Sequence, residues 1–250
     1  MTTPRPTGTL TDPPGGNGPA WERPGARPAT KLALFDLDHT LLSGDSDVLW
    51  CEFLMQQGML DRAEFEPRNA DMARRYADAS VSVQDFCDFY VGTLAGRSPA
   101  EWQPLCDQFL NEVVAPRIPP SAHALVDEHR QQGHTLVLTT ATNRVITGMT
   151  ATFLGFGNLI ATEVALEGGV CTGRTTGTLN MREGKVVRLR AWLAEQDLPP
   201  ALLEAATLYS DSSNDLPLFG AVGEPVVVDG DARLLAHARA AGWRMLTLAR

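Results

Sequence analysis

The sequence predicts an α/β fold: a doubly wound parallel sheet with an all-helical unit inserted after its first strand. Three observations carry that expectation. Short apolar runs alternate with amphipathic helical stretches through the second half of the chain, as in a parallel sheet covered on both faces. Residues 46–118 break the alternation and read as helix throughout. The first apolar run, 31–36 (KLALFD), stands just before that break.

The elements follow in order. Residues 1–30 are rich in Pro, Gly and Thr, with only Leu10 and Trp21 as sizeable apolar groups, and read as a disordered tail. Residues 31–36 read as a buried strand. SDVLWCEFLMQQG sets Val48, Cys51, Leu54 and Met55 on one helix face and stops at Gly58. SVQDFCDFYVGTL places Phe86, Phe89 and Tyr90 at helical spacing, a stripe that more often builds core than a ligand site. RSPAEWQ opens a helix with Ser98 as N-cap, Pro99 at the first position and Glu101 completing a capping box. Pro116, Pro119 and Pro120 close the helical region. Strands are then expected at 134–139, 159–164, 206–210, 225–228 and 243–248, with helices near 120–132, 144–154, 184–196, 214–220 and 231–241. The Gly-Gly and Thr-rich run 164–180 reads as an inserted β-hairpin. The expected organisation is a tail at 1–30, a core of 31–45 and 119–250, and a helical cap of 46–118.

Composition narrows the function. The chain has 250 residues, 44% hydrophobic, with a net charge of −9. That charge is a poor match for nucleic acid or an anionic membrane, so neither is an expected partner. Four cysteines, Cys51, Cys87, Cys106 and Cys171, show no CxxC pairing and read as buried reduced thiols. No apolar run reaches a membrane span, and no apolar signal segment opens the chain, so a cytoplasmic enzyme is expected.

The chemistry gathers at strand ends. In FDLDHT, Asp36 and Asp38 flank one residue just past the first strand. In open α/β sheets ligands collect at the carboxyl ends of strands. Two carboxylates there repel unless protonated, paired or neutralised by a hard cation such as Mg2+, although Asp side chains also cap their own turns. YSDSSNDLPLF repeats the arrangement with Asp211 and Asp215. LVLTTATNRV ends a strand in hydroxyls before Asn143, which suits phosphate binding or plain helix capping. Lys185 lies in the first turn of a helix, against the helix dipole, which fits an anion-holding group or a solvated lysine.

Together, DxDxT (Asp36, Asp38, Thr40), Thr140, Lys185 and DxxxD (Asp211, Asp215) resemble the haloacid dehalogenase superfamily of phosphohydrolases, in its motif order. The helical insertion and the runs GKVVRLRAWL and SDSSNDLPLF are similar to the phosphoserine phosphatase-like subgroup. Ser210 stands where that family usually has Gly. The resemblance implies Asp36 as nucleophile, forming an aspartyl-phosphate, and Asp38 as general acid and base. It implies Mg2+ held by Asp36, the backbone carbonyl of Asp38, and Asp211. Asp215 would support the metal or orient Lys185, Thr140 and Lys185 would bind the phosphoryl oxygens, and Asn214 would assist with substrate. His39 is expected to turn away from its neighbours into a structural role.

The resemblance also frames the substrate, a small phosphomonoester. Phosphoserine phosphatases bind the substrate amine with a Glu five residues after the motif Thr, and Asp45 stands there, although Asp45 and Asp47 equally suit helix capping. Those enzymes use a cap Arg for the substrate carboxylate. None lies within 86–91, and Arg74, Arg75 and Arg97 are the nearest candidates. An amine-bearing substrate without a carboxylate is implied, with aromatic rings available to face a flat ring. Histidinol phosphate, from histidine biosynthesis, fits. The opening LALFDLD-TLL-GDSD is similar to that of bacterial relatives for which this activity is plausible. Phosphoserine is the alternative, as is a phosphotransferase using the same aspartyl-phosphate. A glycosyltransferase DxD would not bring Lys185 and Asp211–Asp215 in this order.

Overall fold

A computed structural model describes residues 31–78 and 80–249. The expected tail at 1–30 lies outside the described residues. Among the described residues seven strands form one sheet in the order β4-β3-β2-β1-β5-β6-β7. They are β1 (Leu32–Phe35), β2 (Thr135–Asn143), β3 (Asn158–Glu167), β4 (Val170–Thr176), β5 (Thr207–Ser210), β6 (Glu224–Val228) and β7 (Arg244–Leu246). All neighbours pair in parallel except β3 and β4, which form an antiparallel hairpin at one edge. Its turn uses Gly168 and Gly169, both at positive φ. The expected inserted hairpin is therefore continuous with the sheet, because β3 runs on from its parallel partner into the turn.

The first strand shows why the sheet is covered on both faces. Leu32, Ala33, Leu34 and Phe35 are all fully buried. Ala33 and Phe35 enter a core with Trp50, Phe109, Val126 and Leu138. Leu32 and Leu34 enter a second core with Leu189, Leu208, Phe219 and Leu234. Alternate side chains of a strand point to opposite faces, so a continuous apolar run needs a core on each side.

The segment inserted after β1 carries the helices α1 (Ser46–Gln56), α2 (Arg62–Ala77), α3 (Val83–Val91) and α4 (Pro99–Phe109). The capping box forms as the sequence requires, with Ser98 Oγ accepting from Glu101 N and Glu101 accepting from Ser98 N. A third cluster, with Cys51, Met72, Phe86, Tyr90 and Met181, joins these helices to the loop that follows β4. The core helices are α5 (Pro120–Gln131), α6 (Arg144–Phe153), α7 (Glu183–Glu195), α8 (Ala201–Glu204), α9 (Leu216–Phe219) and α10 (Ala232–Ala241). The strand β2 runs four residues past its expected end, through Asn143, with a register shift between Thr140 and Asn143. All four cysteines are buried and unpaired with one another.

Candidate active site

The carboxylates Asp36, Asp38, Asp211 and Asp215 sit at the carboxyl edge of the sheet, where the backbone leaves a buried strand. Asp36 follows β1, and its N–H donates to the Tyr209 carbonyl of β5 at 2.9 Å. Asp211 follows β5, and Thr40 Oγ1 donates to its Oδ1 at 2.8 Å across 171 residues of sequence. Lys185 enters from the first turn of α7. Its Nζ donates to Asp36 Oδ1 at 2.9 Å and to Asp215 Oδ2 at 2.7 Å. Ser210 Oγ donates to the same Asp215 oxygen at 2.7 Å, so the residue in the usual Gly position takes a specific partner.

Charge in this cluster is unbalanced. Asp36, Asp38, Asp211 and Asp215 share one small pocket with Lys185. Burial raises the Asp36 carboxyl well above its ordinary range; Lys185 opposes this, while Asp215, Asp211 and Asp38 add to it. Burial likewise pushes Asp211 up to about 7, against the Thr40 hydrogen bond. Burial alone would depress the Lys185 ammonium, but the carboxylates of Asp215 and Asp36 outweigh it and hold Lys185 charged. A buried group of carboxylates facing one ammonium fits a hard divalent cation. Among the described residues no three acidic, Cys or His side chains form a ready-made metal cage. The expected ligand set needs only Asp36, Asp211 and the Asp38 carbonyl, because Mg2+ usually keeps waters and phosphate oxygens.

The Asp38 carboxyl is held from two sides. Ser46 N donates to its Oδ1 at 2.7 Å, and Thr142 Oγ1 lies 3.0 Å from its Oδ2. Asp45 caps α1, its Oδ1 accepting from Asp47 N at 2.9 Å and Val48 N at 3.0 Å. It also lines the pocket, so the capping and the site readings hold together. Burial, then the nearby Asp38, pushes the Asp45 carboxyl up to about 7.

Other expected residues fall as follows. Thr140 is fully buried; its Oγ1 accepts from Thr142 N at 3.2 Å and donates to Asp38 Oδ2 at 3.4 Å. Asn214 lines the pocket and accepts from Arg182 Nε at 3.1 Å. His39, expected to turn away, lines the pocket, because a positive φ of 56° redirects the chain there. Asp47, expected as a possible cap, is buried against Thr142 instead. Phe86 faces the pocket; Tyr90 packs into the third cluster and Phe89 packs on Phe65. Tyr76 and Thr142, which the sequence does not single out, line the site. Tyr76 stacks on Phe86 with ring centroids 4.4 Å apart. Among the described residues no Arg lines this inner pocket. Arg74 pairs with Asp71 at the surface, and Arg97 lies over Trp102. The pocket opens into a wider cleft of about 780 Å³ between α1, α2 and the start of α10, lined by Asp45, Ala73, Tyr76, Asp78, Asp231 and Arg233 among others.

The sequence pattern of the haloacid dehalogenase-like hydrolases matches residues 33–220. A relative from Neisseria meningitidis serogroup C (strain 8013), named histidinol-phosphatase, is 36% identical over 216 residues, covering 86% of this chain and 97% of its own. A solved protein of unknown function from Bordetella pertussis Tohama I is 39% identical, with a TM-score of 0.82, covering 87% of this chain and 98% of that one. A substrate-bound phosphoserine phosphatase shares the fold at 14% identity, with a TM-score of 0.61, covering 82% of this chain and 89% of that one.

Proposed function

We propose, for a chain that belongs to the haloacid dehalogenase-like hydrolase family and is a phosphatase, that its substrate is histidinol phosphate and that Asp36 is its nucleophile. Asp36 attacks phosphorus in line, the bond to the leaving oxygen breaks, and Asp38 gives that oxygen its proton. Asp38 then takes a proton from water, whose oxygen attacks the aspartyl-phosphate and releases phosphate. Lys185, held between Asp36 and Asp215, neutralises charge on the transferring group. Phosphatases of this family are generally metal-dependent, usually on Mg2+. Here Asp36, Asp211 and the Asp38 carbonyl would hold the ion, which supplies positive charge to the phosphoryl oxygens. The 2.7 Å contact to Lys185 favours an orienting role for Asp215.

One observation carries the choice of substrate. The pocket presents the Asp45 carboxylate beside the stacked rings of Tyr76 and Phe86, with no Arg on its wall. That lining suits an amine and a flat ring and carries no guanidinium for a carboxylate. The name of the 36% identical relative from Neisseria meningitidis agrees.

Phosphate release with Mg2+ tests both parts. Histidinol phosphate is expected to exceed phosphoserine in kcat/KM by about tenfold or more. A preference for phosphoserine would overturn the substrate reading alone. Asp36→Asn is expected to lose about a thousandfold or more in kcat with its fold intact; near wild-type turnover would remove Asp36 as nucleophile. Adding alcohols during turnover separates a phosphotransferase, which would pass phosphate to them in place of water.

A further inference from the structure

Thr142 stands at a junction. Its Oγ1 lies 3.0 Å from Asp38 Oδ2, 3.1 Å from Asp47 Oδ2 and 3.1 Å from Ser46 Oγ. A hydroxyl carries one proton and two lone pairs, so three partners fill it and it donates to only one of them. Two of these partners are carboxyl oxygens. If Thr142 gives its proton to one, the other must bring a proton of its own or face a lone pair at bonding distance. Asp47 is placed to bring it. It is 3% exposed, whereas Asp38 lines the pocket. Its Oδ1 is buried with no hydrogen-bond partner. A bare carbonyl oxygen is tolerated there far better than half of an unpaired carboxylate.

We propose that Asp47 is a positioning residue for the reaction: its carboxyl donates to Thr142 Oγ1, which aims the single Thr142 proton at Asp38 Oδ2. The Asp38 carboxyl is then clamped between Thr142, at 3.0 Å with Thr140 Oγ1 further off at 3.4 Å, on one oxygen and Ser46 N, 2.7 Å away, on the other. This fixes the carboxyl plane from which Asp38 addresses the leaving oxygen, so the inference rests on the reading of Asp38 as the proton donor. Ser46 and Asp47 belong to the first turn of α1, while Thr142 ends β2. The inserted helices therefore set the alignment of a core residue. Burial, then the carboxylates of Asp45 and Asp38, raises the Asp47 carboxyl, in keeping with an acid that retains its proton.

The test compares three variants on two esters with Mg2+ present. Asp47→Asn keeps a donor in place, Asp47→Leu removes it while keeping the branched shape, and Thr142→Val removes the hydroxyl. The rate read is the first-turnover release of the leaving alcohol, which precedes the water attack in which Asp38 acts again as base. One ester is an alkyl phosphate, whose leaving oxygen needs a proton. The other is p-nitrophenyl phosphate, whose phenolate leaves without one. Asp47→Asn is expected within about threefold of wild type on both. Asp47→Leu and Thr142→Val are expected to be slowed about tenfold or more on the alkyl ester and less than about threefold on p-nitrophenyl phosphate, with KM little moved. Equal slowing on both esters, an Asn variant as slow as the Leu variant, or wild-type speed of the Leu variant on the alkyl ester would each overturn the proposal. Should Asp47→Leu fail to fold, Thr142→Val carries the same expectation. Asp38→Asn serves as the control: if it slows both esters equally, the reading of Asp38 falls, whatever Asp47 does.

Discussion

Asp45 combines two demands that pull against each other. Its Oδ1 closes the N-terminus of α1, and the same carboxyl sits in a buried, acidic pocket. Burial and Asp38 push it up to about 7 from an ordinary 3.8. The folded protein therefore holds this proton over a pH range in which the unfolded chain has released it. The stability it contributes is full below the unfolded value and is lost as pH rises toward about 7. Asn caps helices as well as Asp and does not titrate. In metal-free protein, Asp45→Asn should match wild type in Tm near pH 4 and exceed it by several degrees at pH 7–8, read by thermal scans across pH. The same variant should raise KM for histidinol phosphate about tenfold or more, because the amine loses its carboxylate. A Tm difference independent of pH would remove the titration argument.

Single elements place the chemistry as much as single residues do. α7 brings Lys185 to Asp36, and its start is threaded under the loop before it. A Cβ on Gly184 would stand 2.0 Å from the Leu179 carbonyl oxygen, a contact no side chain can make. Gly184→Ala should cost about 1–3 kcal/mol, seen as a lower Tm, and should reduce kcat more than KM by displacing Lys185. Unchanged kcat would mean that this approach does not locate the lysine. The elements also divide what the sequence makes legible. Asp36, Asp38, Asp211 and Asp215 are readable because each follows a short apolar strand within a few residues. Thr142 is not, because the hydroxyl run of β2 hides a strand that continues past its apolar part, and its carboxyl partners lie 95 and 104 residues away. Tyr76 is hidden for another reason. It ends α2, a largely polar helix with Pro67 inside it, whose sequence does not announce which face meets the site.

At the scale of the whole molecule, the helical insertion and the coverage of both sheet faces follow from alternation and apolar runs, whereas the strand order β4-β3-β2-β1-β5-β6-β7 follows from neither. The convergence of β1, β5 and α7 on one point is a product of topology, and only motif resemblance anticipates it. The acidity of that point predicts a strong response to divalent ions. Saturating Mg2+, at about a hundred times its Kd, should add about 2.7 kcal/mol, or a Tm rise of roughly 5–10 °C, and chelation should reverse the rise and abolish phosphate release. An unchanged Tm on both additions would argue against a resident cation. The hairpin at the sheet edge has a consequence of another kind. β4 pairs with β3 on one side, and on the other it meets the loop before α4: Gly96 N donates to the Cys171 carbonyl, and Cys171 N to the Arg97 carbonyl, both at 2.9 Å. The opposite edge, β7, is three residues long. One margin of the sheet is thus partly shielded by its own chain and the other is short, which leaves little open strand for a neighbouring molecule to extend, and self-association by strand pairing is discouraged in the architecture itself.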